Sequence, residues 1–238
     1  MKTIFFLALT LYSIMGQSQS LTGNQLLERS ISFHDPANNW PTFNGSITVR
    51  METPNSSDRL SQILIDLPGQ RFALKASRDR TTTEYYLDGE QCTLKLNGST
   101  EFSEEEAQTN RLNCERGRMY RNYYTYLYGL PMKLRDPGTH IDPKVESRTF
   151  KGKEYLVLKA TYDQEVGSDV WFIYFDPETY AMEVYQFYKG EPDGAGKDTG
   201  EYILLSGMEE VQGIKMPKKR AWYYNKDDKY LGTDILEE

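Results

Sequence analysis

The sequence predicts an α+β fold: a large, curved antiparallel sheet of about eleven strands with helices as lid or plug. Three observations lead there. Eighteen Tyr and ten Phe among 238 residues weight the composition toward strands and polar-tipped aromatic surfaces. Short stretches of alternating apolar and polar residues recur along the chain, separated by tight-turn dipeptides such as Asp88-Gly89 and Lys151-Gly152. Two capping boxes, Thr22 with Gln25 and Ser103 with Glu106, announce helices.

The chain opens on an address. Lys2 precedes the apolar run Ile4–Tyr12, and Ser18-Gln19-Ser20 places small residues before Leu21. A positive start, a short apolar centre and a small-residue exit form a Sec signal peptide over 1–20, cut near Ser20. Its apolar centre of about a dozen residues falls short of the roughly 20 a bilayer span needs. The expectation is a secreted or periplasmic protein with no transmembrane span in the mature chain, residues 21–238 forming a single domain.

Within that chain the Thr22 box opens a helix through Phe33, stopped by Pro36, with Leu27, Ile31 and His34 on one face. Strands follow over Phe43–Glu52, Ser61–Asp66, Arg71–Ser77, Thr81–Leu87 and Gln91–Leu96, an antiparallel meander. The Ser103 box starts a helical region that runs to Tyr128, with a break near Gly117, and Gly129 and Pro131 end it, although Tyr120, Tyr124, Tyr126 and Tyr128 also fit a strand's period. The second half returns to strands: Lys144–Phe150, Lys153–Tyr162, Asp169–Asp176, Met182–Lys189, Glu201–Met208, Ile214–Tyr224 and Tyr230–Leu236.

The charge balance of 28 basic against 35 acidic residues, with no basic stripe, argues against nucleic acid as a partner. Cys92 and Cys114 are the only cysteines. In an oxidising compartment they either form one bridge, closing about 23 residues and worth about 3 kcal/mol, or remain two thiols, one in a strand and one in a helix. The spacing alone does not supply the Cα separation a bridge requires.

The strand Asp169–Asp176 carries functional information. Val170, Phe172 and Tyr174 face one way while Trp171, Ile173 and Phe175 face the other, so both faces are apolar. A sheet with one wet face alternates with polar residues, and here something covers each side. A helix inside a half-closed barrel does this, as does a hydrophobic ligand cavity or an ordinary packed core. Trp171, Ile173 and Phe175, with Tyr124, Leu127 and Tyr128 of the helical region, are the candidate ligand-binding residues.

The run Asp169–Thr179, then Gly200–Ser206, Gly213–Arg220 and Tyr230–Asp234, together with His34-Asp35-Pro36 and Gly129–Leu134, resembles a family of uncharacterised secreted proteins from Bacteroidetes. The pattern of strand, Asp-Pro-x-Thr turn, strand and Gly-Ile-x-x-Pro is also similar to the periplasmic lipoprotein carriers LolA and LolB. That resemblance implies a LolA-like unclosed β-barrel with a helical lid, holding acyl chains inside. It supplies no individual binding residue, and the Tyr-rich lid departs from the carriers' aliphatic one.

Three functional readings follow. The first is a non-catalytic binder of a hydrophobic or amphiphilic small molecule or a lipidated protein, with no cofactor. The second is a metal-assisted hydrolase in which His34 and His140, with Asp35 and Asp142, supply nitrogen and oxygen ligands. Against it, His-Asp-Pro and His-Ile-Asp-Pro also read as turn punctuation, and no His-x-x-x-His spacing exists. The third is a rigid interaction module with a packed interior. No Gly-x-Ser-x-Gly elbow or phosphate loop is present.

Overall fold

A computed structural model describes residues 21–237, so the signal peptide assigned to 1–20 lies outside the described residues. Helix α1 (Gly23–His34) begins at the Thr22 capping box: the Gln25 amide donates to Thr22 Oγ1 and the Thr22 amide to Gln25 Oε1. Leu26, Leu27, Ser30, Ile31 and His34 form its buried face. The meander follows as β1 (Asn44–Thr53), β2 (Ser56–Asp66), β3 (Arg71–Arg78), β4 (Thr81–Asp88) and β5 (Gln91–Leu96).

The helical region divides earlier than expected. Helix α2 (Glu104–Thr109) ends at Asn110, and α3 (Cys114–Gly129) starts at a new N-cap, Asn113, whose side chain accepts from the Arg116 amide. Gly117 is not the break. It lies inside α3, where an added Cβ would sit 3.1 Å from the Tyr85 ring. Its lack of a side chain lets the helix approach β4. Cys92 and Cys114 are joined in a disulfide with Cα atoms 6.0 Å apart, tying β5 to the first residue of α3.

The second half supplies β6 (Thr139–Ile141), β7 (Glu146–Phe150), β8 (Lys153–Tyr162), β9 (Val170–Phe175), β10 (Met182–Tyr188), β11 (Glu201–Val211), β12 (Ile214–Tyr224) and β13 (Tyr230–Glu237). All thirteen strands of the described residues belong to one antiparallel sheet, ordered β5-β4-β3-β2-β1-β13-β12-β11-β10-β9-β8, with β6 and β7 both on the outer edge of β8. The last strand pairs with the first, in the middle of the sheet. β5 and the β6/β7 edge do not pair, and the barrel is unclosed.

The doubly apolar β9 is covered by two different things. Ile173 and Phe175, with the half-buried Trp171, join the main core formed by the concave face, α1 and α3. Val170, Phe172 and Tyr174 belong to a smaller cluster on the convex face. There Phe150, at the end of β7, reaches over the sheet to the rings of Tyr174 and Tyr202, with centroids at 5.2 and 5.3 Å. Arg148 lies 4.4 Å from the Phe172 ring centroid. No helix among the described residues is long and apolar enough to cross a membrane.

Candidate functional site

The concave side is mostly filled. Helix α3 turns Tyr124, Leu127 and Tyr128 into the sheet, where each is at most 3% exposed. They share one continuous core with Ile173 and Phe175. Five of the six candidate ligand-binding residues are therefore packed among themselves and their neighbours. The sixth, Trp171, is half-buried and lines a cleft of about 600 Å³.

That cleft lies along the other side of α3. One wall is the helix face carrying Arg121, Asn122, Thr125 and Tyr126; a second is the end of the β2–β3 hairpin, from Ile65 to Phe72; a third runs from Tyr162 to Trp171. Its aromatic side is ordered by ring contacts. Tyr126 meets Trp171 edge-on at 5.3 Å, Trp171 stacks on Phe187 at 5.0 Å, and the Tyr126 and Tyr162 hydroxyls hydrogen-bond each other. Ile65, Leu67 and Phe72 complete the apolar surface.

The rim is charged. Arg71 pairs with Asp66 at 2.5 Å, and Lys133 with Asp136. The Gly69 amide and Arg71 both donate to Asp66 and hold its carboxyl below the usual range. Arg121 reaches only Asn122 Oδ1, at 3.4 Å, and meets no carboxylate among the described residues. Across the cleft, partial burial raises the Asp169 carboxyl above its ordinary value, against the nearby charge of Lys189.

The histidines are not brought together. His34 ends α1 and is fully buried; its Nδ1 donates to the Lys215 carbonyl at 2.6 Å and its Nε2 accepts the Met182 amide at 3.0 Å. Both ring nitrogens are thus committed to main chain. Burial, reinforced by the charges of Lys215 and Arg220, pulls the ring down to about 4, against the hydrogen bond to Lys215. Asp35 accepts the amides of Asn39 and Trp40, so His-Asp-Pro here is a helix-ending turn. His140 sits beside the first half of α1, near Asn24 and Glu28, and bonds Asp163 at 2.6 Å. Asp142 accepts the Lys144 amide. No group of three or more His, Cys, Asp or Glu side chains suited to a metal occurs among the described residues.

The cleft residues Arg121, Thr125, Tyr162 and Asp169 were not singled out from the sequence. They come from segments that only the sheet's curvature brings together. The usable signal was in α3 itself, where the polar face Arg121, Asn122, Thr125 lies opposite the tyrosines that fill the core.

Among solved structures, the chain is similar to a LolA superfamily protein, NE2245 from Nitrosomonas europaea. The match has 10% identity and a TM-score of 0.48, over 92% of this chain and 93% of that one. It is also similar to a DUF1329 family protein from Desulfovibrio piger ATCC 29098, at 7% identity and a TM-score of 0.50 over 91% of each chain, a likeness of fold. No curated protein sequence matches it. A family model matches residues 2–238 nearly end to end, and the chain belongs to that family, the family of unknown function DUF6503.

Proposed function

We propose that the protein is a secreted or periplasmic binding protein that holds a hydrophobic or amphiphilic ligand, without catalysis, in the cleft between α3 and the open side of the sheet. The observation that carries this reading is the cleft itself. It is an apolar, aromatic trough of about 600 Å³ under a charged rim, within the range of small-molecule sites. Each 100 Å² of ligand apolar surface it removes from water contributes about 2.5 kcal/mol. Tyr126, Trp171 and Phe72 receive the apolar part, and Arg121, the rim cation without a carboxylate partner, meets the polar end. The leader read at 1–20 and the closed thiol pair support an extracytoplasmic setting.

Native mass spectrometry on mature protein recovered from a periplasmic extract tests this, with Thr125→Trp as the blocked cleft. The expected result is a lipid-sized adduct on the wild type that falls at least tenfold in the variant. A clean apo mass, together with no uptake of added dodecylphosphocholine, overturns the reading.

A further inference from the structure

Four neighbouring strands carry one lateral row on the concave face. Arg59 on β2 is level with Met51 on β1, Met51 with Asp234 on β13, and Asp234 with Arg220 on β12. The row thus places two guanidiniums beside one carboxylate. Arg220 is 1% and Asp234 3% exposed, with α3 covering them through Tyr128, whose ring centroid lies 3.9 Å from the Arg220 guanidinium carbon. Neither arginine forms an ion pair with Asp234, whose carboxylate accepts from Trp222 Nε1 at 3.2 Å.

The donors around Arg220 are unspent. Its Nη1 donates to the Pro217 carbonyl at 3.0 Å, but Nε, Nη2 and the Tyr128 hydroxyl have no partner, and the Tyr185 hydroxyl, which makes no well-aligned hydrogen bond, lies close enough to interact with Arg220 itself. Arg59 Nη2 donates to the Tyr124 hydroxyl at 3.0 Å while its Nε is also unpartnered. Buried polar groups are normally satisfied, and buried charges normally balanced. Here Arg220 is buried without an ion pair to Asp234, whose carboxyl burial raises above its ordinary value, and the half-buried Arg59 adds a second positive charge to the row; burial keeps the Tyr128 and Tyr185 phenols protonated, so they do not offset it.

We propose that the Arg220 guanidinium, with the Tyr128 and Tyr185 hydroxyls, binds one compact monoanion inside the sheet: a halide ion, or the carboxylate head of an amphiphile. Two guanidinium nitrogens and two hydroxyls around one centre suit a small singly charged acceptor. A dianion would reverse the imbalance. The halide source is independent of the cleft reading, whereas the carboxylate source rests on it.

Bromide is the probe. Crystals of the mature wild-type protein grown in sodium bromide should show an anomalous peak within hydrogen-bond reach of Arg220 Nε or Nη2. Melting in bromide, compared with gluconate at equal ionic strength, should rise by about 3–6 °C at ten times the bromide Kd. Arg220→Met should abolish that rise. Added decanoate then separates the sources: loss of the peak on uptake assigns the site to a carboxylate head, and a retained peak to a free halide. Absence of the peak, with equal melting in the two salts, overturns the proposal. Decanoate uptake in the cleft without a bromide peak would sink the anion site alone. A bromide peak without any amphiphile uptake would sink the cleft reading alone.

Discussion

The indole of Trp171 meets the ring of Tyr126 edge-on at 5.3 Å, and through this contact β9 touches α3 at the floor of the cleft. The wall that would receive a ligand is therefore also a joint holding the helix on the sheet. Trp171→Ala is expected to lower stability by about 2–4 kcal/mol, because it also removes the stack on Phe187. Trp171→Phe keeps a ring there and should cost less than half as much. Urea unfolding of the two variants checks the difference.

His34 makes stability depend on pH. The ring is held down to about 4 in the fold, against an ordinary 6.5, chiefly by burial. The unfolded chain therefore takes up the proton first. The stabilisation from keeping the ring neutral is complete above about pH 6.5 and is lost as pH falls toward 4, about 2 kcal/mol of it between pH 7 and pH 5. Urea midpoints at the two pH values, for wild type and His34→Asn, should show this slope only in the wild type. An equal slope in both would assign it to other groups.

The Cys92–Cys114 bridge anchors the first turn of α3 to β5. Replacing both cysteines with serine frees a loop of about 23 residues in the unfolded state and is expected to cost about 3 kcal/mol. The loss should be local first. Hydrogen exchange should accelerate in α2 and the first turns of α3 while β11–β13 remain protected.

Gly129 closes α3 against Trp40. A Cβ there would lie 2.3 Å from Trp40 Cζ2 and 2.5 Å from Lys133 Cγ. Trp40 is buried and packed on Phe43, so it has little room to yield. Gly129→Ala should destabilise by about 1–3 kcal/mol despite alanine's better helix propensity. A melting temperature equal to the wild type would show that Trp40 can move aside.

What could be read from the sequence follows a physical line. Local chemistry was legible: both capping boxes start helices, and Asp88-Gly89 joins β4 to β5. The α+β class and the unclosed antiparallel sheet were legible from the alternation and its turns. Features created by pairing were not. Ser56–Arg59 is polar and becomes strand because β1 templates it, and β6 is three residues long and exists by pairing with β8. The division at Asn110–Asn113 was hidden because Gly117 looked the better breaker, though its absent side chain serves packing against Tyr85. In the candidate site, the apolar faces of β9 and α3 were visible. Whether they enclose space or fill it depends on the curvature of thirteen strands, and at Tyr124, Leu127 and Tyr128 they fill it.

The most direct measurement is tryptophan quenching by a dodecyl amphiphile brominated on its chain. If the cleft takes the apolar chain, bromine comes to rest against Trp171 and quenching saturates with ligand. Trp171→Phe should then remove the saturable part while native mass spectrometry still shows the bound mass. No saturable quenching in the wild type, or the same quenching in Trp171→Phe, would contradict a ligand in the cleft beside α3.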